Sequence, residues 1–168
     1  MSRIPDAECP ADLQATMQNN LHRTLYNNAA IADAFGTLAR SVHIASHLPH
    51  RIRELCILRI ASLLQAEVEW AQHFKIAQMV GISVEEVRAI RDGKLSEFAA
   101  AEQAAINFAV AVEQRSVSDV LWAATAEHYT PVQLLDLAML AGLYGYASRI
   151  TLALGVEVDA GLTKLAES

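Results

Sequence analysis

Along most of this 168-residue chain the apolar positions recur with a period near 3.6, the spacing of one face of an α-helix. Over residues 12 to about 33 they fall at Leu13, Met17, Leu21 and Leu25. A shorter pattern over 35–46 has to end before Pro49, because proline disfavours helix in the residue ahead of it. Residues 51 to about 64 predict another helix. A break near Gln65 and Ala66 separates it from one running to Val80, with Gly81 as the stop. Ser83 and Glu86 form a capping box, and Gly93 closes the helix they open. Ser96 is the expected cap of a helix over 97 to about 114, and Ser118 opens a short one towards Tyr129. Thr130-Pro-Val-Gln133 combines a cap, a proline at the first helical position and a glutamine at the third. The helix it starts runs to Leu154 and stops at Gly155. It is apolar nearly all round, which predicts a central place or one between subunits. Gly142 and Gly145 on it are expected to permit close backbone approach, and from Val156 an irregular arm is expected.

No strand alternation, internal repeat or low-complexity linker interrupts this pattern. The fold class is therefore all-α, a helical bundle in one domain. Its parts are a helical arm over about 1–48, a core motif over 50–93 and closing helices over 96–155. Hydrophobic residues make up 53% and aromatics only 6%, so the apolar content is aliphatic and alanine-rich, as closely packed helices require. A mean hydropathy of +0.22 exceeds what one small core hides, and predicts buried contacts in a homo-oligomer. The run over 137–148 is too short to span a bilayer, and the N-terminal residues lack an apolar signal core. No membrane association is expected, and the expected compartment is the cytoplasm. A net charge of −6 with scattered lysines and arginines argues against nucleic acid as a partner. Cys9 and Cys56 form no CxxC, and Cys56 between Leu55 and Ile57 reads as a buried thiol.

The chemistry concentrates over 51–80. Glu54, Glu69 and His73 stand among apolar residues, where an ionisable group is costly unless it is paired or used. Glu69 and His73 are four apart and share a helix face, with Ala66 and Trp70 nearby. A carboxylate so placed would orient the imidazole and raise its basicity. If the two helices fold back as a hairpin, Glu54 comes within range of the pair, at a distance that the sequence alone does not fix. The same spacing also fits a simple helix-stabilising pair, or a metal set of two carboxylates and a histidine, though no H-E-x-x-H accompanies it. His43, His47 and His50 form a second cluster, expected to be helix-end residues facing solvent or a neighbouring subunit. At least two of Arg51, Arg53 and Arg59 are expected to pair with acidic residues across helices, although such arginines also attract a carboxylate substrate.

The string R-x-R-E-L-x-I-L-R from Arg51, then A-E-V-E-W-A-Q-H from Ala66 and G-I-S-x-E-E-V from Gly81, resembles the carboxymuconolactone decarboxylase family, the alkyl hydroperoxidase D-like superfamily. The resemblance spans roughly residues 4–159. It implies that superfamily's helical bundle, a homotrimer or homohexamer, and chemistry without metal or organic cofactor. The peroxidase members carry a glutamate followed by C-x-x-C-x-x-x-H. Here Glu54 and His73 match the glutamate and histidine, while Ala66 and Glu69 stand at the cysteine positions. A thiolate attacks peroxide and a second thiol resolves the sulfenic acid, so the dithiol route is disfavoured. The decarboxylase branch ends in Tyr-Ala-Gly-x-Pro, and the corresponding stretch from Tyr144 to Arg149 lacks the proline.

The resulting expectation is a cofactor-independent acid–base enzyme, a lyase or isomerase acting on a small oxygenated, anionic metabolite. Glu54, Glu69 and His73 are its catalytic residues, and Ala66, Trp70 and Tyr144 line its pocket. His73 is the acid–base group, oriented by Glu69, with Glu54 completing the relay. The alternatives are a non-catalytic oligomer that binds a small molecule in the same pocket, and a residual redox protein using Cys56.

Overall fold

The computed structural model describes residues 2–13 and 18–168. Among the described residues there are eight α-helices and no strand: α1 (Asn20–Leu25), α2 (Ala29–Ile44), α3 (His50–Leu64), α4 (Glu67–Met79), α5 (Val84–Asp92), α6 (Ala100–Gln114), α7 (Asp119–Ala126) and α8 (Pro131–Leu154). The fold is thus the expected all-α bundle.

Helix α3 is the axis of the fold and packs against α4, α5, α6 and α8. Leu55, Cys56, Ile57, Leu58 and Ile60 are fully buried on it, so neighbours cover nearly its whole circumference. Each such aliphatic side chain contributes about 1.5–3 kcal/mol by leaving water. The opposing wall comes from α6 and α8, through Ala105, Ile106, Ala109, Leu137, Leu140 and Ala141. The alanines let these helices approach closely.

Several boundaries follow local rules. Ser83 and Glu86 form their reciprocal capping box, as do Thr130 and Gln133 ahead of α8. Gly93 and Gly155 end α5 and α8 in the left-handed conformation. Gln65, at φ 54°, makes the turn between α3 and α4 and donates its side-chain amide to Ser62 O at 2.7 Å. A left-handed non-glycine residue costs roughly 1–2 kcal/mol, so the surrounding packing holds it there.

Other boundaries differ from expectation. The helix expected over 12–33 is instead α1, a 3₁₀ turn at Tyr26–Asn28 and the start of α2. Met17, one of its predicted apolar positions, lies outside the described residues. Asn19 and Asn28 each cap a new helix by accepting from a backbone N–H, so caps outweigh the continuous apolar stripe. Helix α6 starts at Ala100 rather than Glu97, because Glu102 reaches back to the Ala99 N–H at 3.0 Å and fixes the start there. On α8, a Cβ at Gly145 would collide with the Glu113 side-chain carboxylate, whereas Gly142 faces open space, so neither glycine serves the close backbone approach expected of it. Helix α8 has the length and composition of a membrane span, and half of its most apolar window is buried inside the fold. Val132, Leu135, Met139 and Leu152 remain exposed on it.

Candidate active site

Four helices bring the ionisable groups together. Glu54 sits mid-helix on α3 and His73 on α4, and the Gln65 turn folds these helices into a hairpin. Glu54 Oε2 lies 2.6 Å from His73 Nδ1, with both residues more than nine-tenths buried. The other ring nitrogen, His73 Nε2, lies 2.9 Å from the Tyr144 hydroxyl on α8. That hydroxyl also lies 2.5 Å from Nε2 of His43, on α2. The two imidazoles are nearly parallel, with centroids 6.2 Å apart, and each meets the tyrosine ring edge-on. Burial holds the Tyr144 phenol well above its usual range, and Glu54 and Glu69 add to the shift. His43 is pushed down to about 4, first by burial and then by the His73 charge.

These groups border a cavity of about 630 Å³ with a mostly apolar lining, enough for a small metabolite. Leu21, Phe35, Ile44, Ile76 and Leu143 supply much of that lining. Arg53 also borders it, almost fully buried, with one guanidinium N–H donated to His43 O at 2.5 Å. Of the lining residues it alone carries a permanent positive charge.

The structure therefore brings Glu54, His73 and Tyr144 together, and makes the Glu54–His73 contact that the sequence leaves open. The role expected of Glu69 is corrected. Its carboxylate accepts from the Thr151 hydroxyl at 3.1 and 3.2 Å, while both His73 nitrogens are engaged elsewhere. Burial raises the Glu69 pKa, and the Thr151 bond only partly offsets this. Ala66 and Trp70 are likewise corrected from pocket to core. Both are fully buried and outside the cavity lining, and the Trp70 ring lies tilted against Phe74. One residue along a helix turns the side chain by about 100°, so Glu69 borders the cavity while Trp70 does not.

His43 is the residue that sequence reasoning misplaced. It is half-buried and bonded to the Tyr144 hydroxyl beside the cavity, while His47 pairs with Asp136 at 3.2 Å. Its histidine cluster was visible, but the partner that fixes its place lies 101 residues away. Arg51 alone of the three arginines pairs with carboxylates, those of Glu86 and Glu102. Arg59 donates instead to the Ile90 and Arg91 carbonyls capping α5. Among the described residues no three His, Cys, Asp or Glu side chains converge as metal ligands. Cys56 is wholly buried and burial pushes its thiol far up, so it offers no accessible thiolate.

Residues 29–111 match the model of the carboxymuconolactone decarboxylase family. No curated protein matches the chain in sequence. Among solved structures, an uncharacterized peroxidase-related protein from Ralstonia eutropha JMP134, described as an alkylhydroperoxidase AhpD core, superposes with a TM-score of 0.83. It is 18% identical, over 95% of this chain and 93% of that one. The debrominase Bmp8, in complex with 2,3,4-tribromopyrrole, gives 0.79 at 20% identity over 95% of each chain. An uncharacterized peroxidase-related protein from Silicibacter sp. TM1040 gives 0.77 at 13% identity, over 83% of this chain and 76% of that one. At these identities the likeness is one of fold.

Proposed function

We propose that this chain, which belongs to the carboxymuconolactone decarboxylase family and lacks its CxxC pair, is a cofactor-independent acid–base enzyme for a small, oxygenated, anionic metabolite. The observation that carries this reading is the buried Glu54–His73 pair beside a mostly apolar cavity. An ionised Glu54 fixes the His73 tautomer with its proton on Nδ1 and stabilises the imidazolium formed when Nε2 takes a second proton. Glu54 and His73 thus store and return a proton while Arg53 attracts the substrate's carboxylate.

Two reactions fit this equipment. In a decarboxylation, the bond to the carboxylate breaks and carbon dioxide leaves. The electron pair passes into a conjugated carbonyl as an enolate, and the site returns a proton to carbon. In an isomerisation, the proton is first removed from the carbon next to the carbonyl and returned at another position. The first needs a proton donor to the enolate carbon and the second a base that takes the proton and returns it, and both gain from a site that excludes water. Exposed apolar residues on α8 support a homo-oligomer, read as a trimer or hexamer from the family resemblance.

The test is a panel of carboxylated lactones and β-keto acids, followed by NMR in deuterated buffer for carbon dioxide release and for deuterium entering carbon. Turnover that disappears in both Glu54→Gln and His73→Ala supports the reading. Saturable binding without turnover or exchange across the panel supports the non-catalytic alternative.

A further inference from the structure

The pattern of donors and acceptors fixes the direction of the relay. An ionised Glu54 accepts from His73 Nδ1–H, so neutral His73 offers a lone pair at Nε2. Tyr144 has one hydroxyl proton and gives it to that lone pair. Its oxygen then accepts from His43 Nε2–H, which leaves the lone pair of His43 on Nδ1. Both nitrogens of His73 and the hydroxyl of Tyr144 are occupied. Among the described residues His43 Nδ1 has no hydrogen-bond partner, and it is not among the sealed, unsatisfied atoms of the interior. His43 is half-buried and borders the cavity.

We infer that His43 is the catalytic residue through which the relay exchanges protons with the molecule in the cavity, while His73 remains an interior positioning and charge-holding residue. This deepens the acid–base reading above and rests on it. A proton leaving substrate carbon binds His43 Nδ1. The Nε2 proton of His43 passes to the Tyr144 oxygen, and the Tyr144 proton passes to His73 Nε2. The products are a substrate carbanion or enolate, a neutral His43 protonated on Nδ1, and a His73 imidazolium against Glu54. The two bonds of Tyr144 survive the transfer with their directions reversed, and His73 Nδ1–H still donates to Glu54. The substrate loses one proton and His73 gains one, while His43 changes only its tautomer. The charge rests on His73, which has the carboxylate, rather than on His43. The titratable and charged groups facing His43 are Tyr144 from α8, His73 from α4, and His50, Arg53 and Glu54 from α3.

Diethyl pyrocarbonate, which acylates accessible unprotonated imidazoles, tests the assignment on the full chain, with peptide mapping by mass spectrometry and N-acetylhistidine as internal standard. His43 is expected to be acylated and His73 spared. From pH 7 to pH 5 the standard slows about 25-fold, as an imidazole of pKa about 6.5 must. His43 slows less than about twofold, because its pKa lies near 4. An unreactive His43, or a His73 acylated as fast, overturns the inference and leaves the acid–base reading standing. With a substrate from the panel, His43→Ala is expected to lose at least about 100-fold in kcat, and millimolar imidazole to restore about tenfold of it. A loss that imidazole does not touch marks a packing role and overturns the assignment. The labelling needs no turnover, so it locates the open end of the relay even if the panel fails and the acid–base reading falls.

Discussion

Helix α3 carries two charged clusters three residues apart, and they behave in opposite ways. Arg51 donates to Glu102 at 2.7 Å, to Glu86 and to the Gly81 carbonyl at 3.1 Å, in a partly exposed setting. Its ions are permanent, every one faces an opposite charge, and the result ties α3 to α5 and α6. Burial opposes the Arg51 charge, but the Glu86 bond outweighs it and holds the guanidinium above its ordinary range. One turn on, Glu54 faces His73, Tyr144 and His43, where protons rather than fixed charges make the links. The first cluster is an electrostatic clamp with nothing left to exchange. The second has an open nitrogen and a cavity beside it, and that difference is what the proposed acid–base role rests on.

The largest expected effect separates the two clusters directly. Glu54→Gln removes the negative charge that stabilises the His73 imidazolium, and turnover of a panel substrate is expected to fall by about 10²–10⁴-fold. Arg51→Ala is expected to leave turnover within a few-fold, so equal losses in steady-state assays of the two variants would erase the distinction. In chemical denaturation, Arg51→Ala is expected to cost about 1–2 kcal/mol, between an exposed pair and a buried one.

A smaller effect concerns acid. His43 has a folded-state pKa of about 4, below its ordinary 6.5, so the unfolded chain binds more protons between these values. Stability is therefore expected to decline as pH falls from 6.5 towards 4, by on the order of 1–2 kcal/mol for a half-buried ring, and His43→Ala should flatten that limb of the urea-midpoint profile. Glu69 gives the opposite sign. Burial raises its pKa, so the folded chain holds the proton more tightly, and stability falls as pH rises through and above the ordinary carboxylate value. Glu69→Gln is expected to melt higher than the parent at pH 7, with the gap closing in acid. An unchanged or lowered Tm at pH 7 would mean the Thr151 bond outweighs the desolvation of Glu69.

The parts of this arrangement that were readable in sequence share one property, which is short range. The capping boxes at Ser83 and Thr130 need four consecutive residues, and the break between α3 and α4 falls within two, while the sequence leaves open the Glu54–His73 contact across that break. Tyr144 was placed by its position on the last helix, where one tyrosine hydroxyl was expected to reach the site. His43 escaped because its site forms only when α2 packs on α8, and no period along α2 encodes that. Glu69 was misassigned because helix spacing fixes which residues share a face, not which partner a carboxylate chooses. Thr151, 82 residues away, competes successfully for it. Trp70 was misassigned for a related reason. A pocket and a core use the same apolar residues, and only the packing of α4 decides which side of the wall each occupies.

The left-handed Gln65 gives the connector a part in the chemistry that no ligand list would assign to it. With α3 flowing into α4 through a single such residue and Ala66, the length of the connector sets the rotational phase of the second helix. One residue inserted in the first turn of α4, ahead of His73, would turn the rest of that helix by about 100° and advance it by about 1.5 Å relative to this connector. His73 would then swing away from Glu54 with every side chain in the site still intact. The connector works as a gauge: the spacing of nineteen residues from Glu54 to His73 is as much a component of the relay as the groups at its ends.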